Sequence, residues 1–263
     1  MPILRSFVFV IIALIMSAGS LGAQKPSPPY HRFQGISFEP SAAAFDDRNA
    51  QVIVLNDKDT FIHRYKLEYG VDGVCLKKKS PLQINLSCAE AAAKLEALAP
   101  LGQGCFLASS SFDRNAPEYR RVIRFQIPDD ESSDSYKCVR ADSLRLDAGG
   151  LEKAIRDVTK RKWFKIEGLA VGKDAEHVFF GVRQVGPDHK DPLDVVIVVR
   201  CPFRNDQIEA PNAVFQFSTN GLQRPVGLSD LLRDADGGFF ILTSSERNDP
   251  GRAPFSDSHA GAL

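Results

Sequence analysis

A short apolar segment led by an acid, followed by a turn and a returning aromatic or β-branched strand, occurs four times along this chain. No other feature constrains its fold as tightly. The first copy runs Phe38-Glu39-Pro40-Ser41-Ala42-Ala43 and returns as Gln51-Val52-Ile53-Val54-Leu55-Asn56-Asp57. The second is Leu95-Glu96-Ala97-Leu98-Ala99 with Cys105-Phe106-Leu107-Ala108-Ser109. The third is Ile166-Glu167-Gly168-Leu169-Ala170 with His177-Val178-Phe179-Phe180-Gly181-Val182-Arg183. The fourth is Leu228-Ser229-Asp230-Leu231-Leu232, the turn Asp236-Gly237-Gly238, and Phe239-Phe240-Ile241-Leu242-Thr243. The leading acids stand roughly 60 to 70 residues apart, the interval of a repeated supersecondary unit.

Three copies continue into a further strand. Phe61, His63, Tyr65 and Leu67 alternate onto one face, as do Ile123, Phe125 and Ile127, and the period of two marks a strand. Asp194 to Val199 is dense in β-branched residues, as expected of a strand covered on both sides. Strand, turn, strand, connection, strand, repeated in this way, predicts an all-β fold of β-propeller type with four blade units. Two helices are expected in connections. Ser87-Cys88-Ala89-Glu90 has capping-box form ahead of Ala91 to Lys94. Leu151 to Lys162 places Leu151, Ala154, Ile155 and Val158 on one stripe.

Composition and the first residues bear on where such a chain works. It has 263 residues with 33 Lys+Arg against 33 Asp+Glu, so no net charge draws it to nucleic acid or an acidic membrane. A basic start at Arg5, an apolar run from Phe7 to Met16 and small residues up to Ala23 form a signal peptide over residues 1–23. The run is too short for a spanning helix of about 20 residues. Residues 24–34, rich in proline, read as a linker, and 35–263 as a single propeller-like domain, periplasmic or extracellular. Of the five cysteines, Cys75 and Cys88 bracket a short polar loop and are the expected bridge. No C-x-x-C pair points to zinc or thiol redox chemistry.

Phe38-Glu39-Pro40-Ser41, the Glu96-Ala97-Leu98-Ala99 copy with Leu107 to Ser111, and Lys165-Ile166-Glu167-Gly168-Leu169-Ala170 together resemble a family of bacterial secreted β-propellers. These are the phytase-like or esterase-like propeller proteins and a neighbouring group of unknown function. Gly181-Val182-Arg183 is similar to that family's Gly-x-Arg at the end of a second strand. The likeness spans Gly35 to Arg247, with Lys165 standing where the family often has Asn. With four units, the resemblance implies a reduced or truncated member, and a shared sequence pattern of this kind does not transfer chemistry.

The candidate site follows from the acids. If each leads an innermost strand, Glu39, Glu96, Glu167 and Asp230 approach one axis, and converging carboxylates need a cation, a shared proton or basic partners. Calcium on Glu39 and Glu167 is one solution; pairing with Lys or Arg is the other. Asp57, Glu96, Arg183 and Asp230 are expected to bind ligand at the same mouth. Two functions remain open: a module that binds a small molecule or an envelope protein, and a calcium-assisted hydrolase of a phosphate ester, carboxylic ester or lactone. Other motifs carry less. Gly168 to Lys173 misses the phosphate-loop spacing, and no G-x-S-x-G elbow occurs. His63 reads as core, Lys77 to Lys79 as a solvated loop, and Trp163 as packing between blades.

Overall fold

In the computed structural model, the described residues are 40–56, 61–70, 73–76, 82–88, 92–127, 138–222, 225–234, 236–245 and 261–262. The first unit holds β1 (Pro40–Asp46), β2 (Gln51–Asn56), β3 (Phe61–Gly70), β4 (Gly73–Leu76) and β5 (Leu82–Cys88). The second holds β6 (Leu95–Gly102), β7 (Cys105–Ser110), β8 (Val122–Gln126) and β9 (Cys138–Ser143). After β10 (Arg145–Leu146) and helix α1 (Ala148–Thr159) comes the third unit. It comprises β11 (Trp163–Val171), β12 (His177–Gly186), β13 (Leu193–Arg204), β14 (Gln207–Ile208) and β15 (Ala213–Phe217). The fourth is β16 (Gly227–Arg233), β17 (Phe239–Ser244) and β18 (Gly261–Ala262).

Each predicted hairpin forms. β1 pairs β2, β6 pairs β7, β11 pairs β12 and β16 pairs β17, all antiparallel. The innermost strands β1, β6, β11 and β16 lie against one another in that order, so the units are stacked blades of a propeller-like array. Between neighbouring blades lies an apolar layer. Ile53, Leu55 and Ile62 of the first blade meet Phe106, Ile123 and Phe125 of the second. Leu107 and Val122 of the second meet Ile166, Phe180 and Val199 of the third. Val198 and Phe179 of the third meet Leu228, Leu231 and Ile241 of the fourth. Strands in such a stack are covered on both faces, which is why β13 reads as a continuous apolar run.

Blades three and four fit through a knob and a hole. A Cβ added at Gly168 would lie 2.6 Å from Leu228 Cδ2, and one at Gly181 only 2.4 Å from it. The two glycines leave the space that Leu228 fills. Trp163, at the start of β11, donates Nε1–H to the Asp113 carbonyl (2.7 Å) and ties the third blade to the second. His63 stands opposite Val54 and is buried.

Three expectations are corrected. Ser87 and Cys88 lie in β5, where Ser87 pairs in parallel with Arg140 and Cys88 with Ala141 of β9. Ala92 to Lys94 is irregular rather than helical. Pairing with β9 supplies hydrogen bonds that override a modest helix preference, and it joins the outer edges of the first two blades into one curled sheet. The Cys75–Cys88 bridge fails on register. Cys75 faces Glu68 of β3, whereas Cys88 continues three residues past the Asn85–Phe61 pair at the other end. That separates them by roughly 30 Å of strand, against a Cα limit of about 7 Å for a disulfide. On α1 the stripe is narrower than read: Leu151 and Ile155 are buried, while Val158 is exposed. The helix also begins earlier, because the Asp147 side chain accepts the Gly150 N–H at 2.8 Å and caps it.

Candidate functional site

Every innermost strand carries a β-bulge near its start, and the bulged residues define the site. In the ladders, Ser41 is passed over between Pro40 and Ala42, Glu96 between Leu95 and Ala97, Glu167 between Ile166 and Gly168, and Ser229 between Leu228 and Asp230. A bulge re-aims one side chain out of the ladder. Here it turns Glu96 and Glu167 toward Lys165, and Glu167 and Ser229 toward Arg183, while Ser41 donates to the Leu95 carbonyl at 2.6 Å. The structural equivalents of Glu96 and Glu167 are therefore Ser41 and Ser229. Asp230 follows the bulge rather than occupying it; Glu39 and Asp57 lie outside the described residues.

From the second blade to the fourth the partners form a row. Lys94 Nζ sits 2.6 Å from Asp113 Oδ2 and 3.4 Å from Glu96 Oε1. Lys165 Nζ is 3.5 Å from the same Glu96 oxygen and is ion-paired with Glu167 Oε1. Arg183, itself skipped where the β12–β13 register shifts, is ion-paired with Glu167 Oε2. Its Nη1 also donates to Ser229 Oγ at 3.1 Å, and Ser229 shares a 2.6 Å hydrogen bond with Ser244. Acids and cations alternate, three of each, so the row is neutral as well as largely buried.

Electrostatics follow from that alternation. Burial alone would lower the Lys165 pKa, but the Glu167 and Glu96 carboxylates outweigh it and hold the ammonium well above the usual lysine range. Burial would likewise raise Asp113; hydrogen bonds from Lys94 and Ser111 overcome it and keep the carboxyl below the ordinary value. Asp230 lacks such support. Among the described residues it accepts the Leu231 N–H alone (2.8 Å), and desolvation with repulsion from Glu167 pushes its pKa up to about 7.

Of the acids expected at one axis, Glu96 and Glu167 are brought together and neutralised by Lys94, Lys165 and Arg183. Asp230 lies close enough to Glu167 to be repelled by it, and Glu39 is outside the described residues. The described donors, Glu96 and Glu167, do not fit calcium; Glu39, the other expected ligand, is outside the described residues. That ion takes six to eight oxygens, whereas the Glu96 and Glu167 oxygens already face Lys94, Lys165 and Arg183, and a divalent cation would crowd three positive charges. Among the described residues no cluster of three or more His, Cys, Asp or Glu side chains is arranged to hold a metal. Sequence reading missed Lys94, Asp113, Ser111 and Ser229. One signal was available: Lys94-Leu95-Glu96 and Lys165-Ile166-Glu167 repeat the same spacing, and i and i+2 share a strand face.

No protein-family model matches the chain, and no curated protein matches its sequence. Among solved structures, it is similar to the Pseudomonas aeruginosa periplasmic gluconolactonase PpgL at 11% identity and TM-score 0.40, covering 84% of this chain and 72% of that one. It is similar to a Cicer arietinum lectin with two metal-binding sites at 8% identity and TM-score 0.42, covering 86% and 92%. It also aligns with a Bacteroides uniformis protein provisionally described as a 6-phosphogluconolactonase (10% identity, TM-score 0.42, 86% of this chain), of which it spans only 58%. Likenesses this loose establish no activity. The propeller-like assignment rests on the blade stacking and the repeated bulges.

Proposed function

We propose that this chain is an exported, propeller-like binding module that engages a polar small molecule or an envelope-protein segment at the row from Asp113 to Ser229. The observation that carries this reading is the row itself. Replacing buried ion pairs by apolar side chains is often neutral or stabilising, so stability alone does not account for six ionised groups at one end. Lys94 and Lys165 keep part of their surface open, at 24% and 15% of the side chain. Each can exchange a carboxylate partner for a ligand's oxygen without leaving a charge unpaired. The leader over residues 1–23 directs the module to the periplasm or the medium. Among the described residues no helix is long and apolar enough to cross a membrane.

A thermal-shift screen with carboxylates and sugar phosphates, alongside affinity capture from an envelope extract, tests this. Ligands should lose their effect in Lys94→Met protein, whose unliganded melt drops only slightly because Lys94 is the more open of the two lysines. Recovery of the protein solely in the cytoplasm, or a screen and capture that both come back empty, would sink the reading.

One observation favours the phytase-like or esterase-like alternative, in a metal-free form. A carboxyl with pKa about 7 is poised for general acid–base work near neutrality. On that reading Asp230 would assist hydrolysis of a lactone, carboxylic ester or phosphate ester. It requires turnover of δ-gluconolactone, 4-nitrophenyl acetate or 4-nitrophenyl phosphate with a pH inflection near 7 that vanishes in Asp230→Asn.

A further inference from the structure

At the opposite end of the second blade, about 20 Å along β6 from Glu96, a cleft of about 770 Å3 opens between blades two and three. Its lining combines the half-buried Leu101 and Phe203 with Arg124, Arg140, Asp142 and Asp206, while Phe125 and Val139 border it with side chains buried in the layer between the first two blades. Arg124 of β8 is paired across the cleft with Asp206. Arg140 Nε meets Asp142 Oδ1 at 2.9 Å on β9. Asp206 is set by its turn: Asn205 and Asp206 both take positive φ (48° and 59°), the two-residue hairpin geometry that joins β13 to β14. The volume lies in the range of small-ligand sites.

We propose that this cleft binds a neutral carbohydrate, with the Arg124–Asp206 and Arg140–Asp142 pairs taking its hydroxyls and Phe203, beside Leu101, taking its C–H face. A hydroxyl both donates and accepts, so it is matched by a guanidinium and a carboxylate held side by side. The charges on the rim cancel, which removes the attraction an anion or cation would need. Both ion pairs are open to solvent, where such pairs contribute little, and they can turn toward hydroxyls at small cost. Phe203 and Leu101, both half-buried, supply the apolar surface that ring C–H groups require. This site is separate from the charged row, and its success or failure does not bear on that one.

Cys105 lines the cleft, is a free thiol and is partly exposed, so it reports occupancy. The purified protein is titrated calorimetrically with maltotriose, cellotriose, mannotriose and tri-N-acetylchitotriose, with sodium phosphate as the charged control. At least one trisaccharide should bind saturably and slow iodoacetamide alkylation of Cys105, located by mass spectrometry, about fivefold or more. Its affinity should fall about tenfold in Asp206→Asn and in Arg140→Ala, and hold in Lys153→Ala on the exposed face of α1. Asn tolerates the left-handed turn, and the Arg140 side chain is 82% exposed, so both variants keep their fold. Saturation by no trisaccharide, unchanged affinity in both variants, or binding of phosphate in place of sugar would each overturn the proposal.

Discussion

The junction of blades two and three and the junction of blades three and four place a bulged residue at the same structural position, and they treat it oppositely. At the first, Glu96 and Glu167 are charged, and each meets cations delivered from its own and neighbouring strands. At the second, the bulge holds Ser229, satisfied by Arg183 and Ser244. Lys94 and Lys165 stand two residues before their bulges, where the fourth blade has Gly227. A Cβ at Gly227 would lie 2.7 Å from Arg183 Cγ and 2.9 Å from the Arg183 carbonyl. The glycine lets Arg183 cross to Glu167 and leaves no room for a third lysine. Asp230, next in line, is consequently without a cation and retains its proton to about pH 7. A charge is held at this end where a strand supplies its counter-ion, and nowhere else along the described row.

The largest effect should come from Arg183→Ala. It strands the Glu167 carboxylate in a buried setting, where loss of one partner costs about 3–5 kcal/mol. Urea unfolding measures it, and adding Glu167→Gln should recover part of the loss. A loss below 1 kcal/mol would mean that Lys165 alone carries Glu167 and that the two junctions are not distinct. Next comes Gly227→Ala. Its new methyl meets backbone as well as side chain, so about 2–3 kcal/mol of overpacking is expected, against little change for an alanine at Gly221's neighbour Asn220, which is exposed.

These contrasts explain what the sequence could disclose. Hairpin partners were legible because alternation and turn residues are local, and so were the inward acids Glu96 and Glu167. A bulge slips the register by one without disturbing composition, so the equivalence of Ser41 and Ser229 with the two glutamates was hidden. Asp230, an acid one step along, matched the motif better than the true equivalent. The parallel pairing of β5 with β9 is remote in sequence, and Ser87 to Lys94 carries a local helix signal that only the tertiary contact overrules. The far cleft draws on turns and strands from two blades, and no single segment announces it.

Asp230→Asn sharpens the comparison through pH. The folded carboxyl keeps its proton to about pH 7, whereas the unfolded chain releases it near 3.8. The folded state binds more protons across that window, so this group's contribution to stability falls as pH rises from about 4 to about 7. Asparagine removes the cost. The variant should match the parent near pH 4. The full shift corresponds to about 4 kcal/mol, and because Asp230 is only partly buried by surface area the expected gain at pH 8 is reduced to about 1–2 kcal/mol. A parent no less stable at pH 8 than the variant would place an unrecognised cation beside Asp230.

The smallest effect belongs to Lys94→Met, and its pH dependence has the opposite sign. Lys94 helps hold the Asp113 carboxyl below its ordinary pKa, so the stability it confers is present above about pH 4 and is lost as pH falls through the lowered folded value. Its side chain is 24% exposed and Asp113 retains the Ser111 hydroxyl at 2.7 Å. Water and that hydroxyl together replace much of what the ammonium gives, which limits the expected loss to about 1 kcal/mol at pH 7, narrowing toward zero below pH 3. Denaturant melts at the two pH values test it. A loss as large as that of Arg183→Ala would show that the row stands or falls as one unit, and the grading from the deeply buried cation to the partly open one would then be wrong.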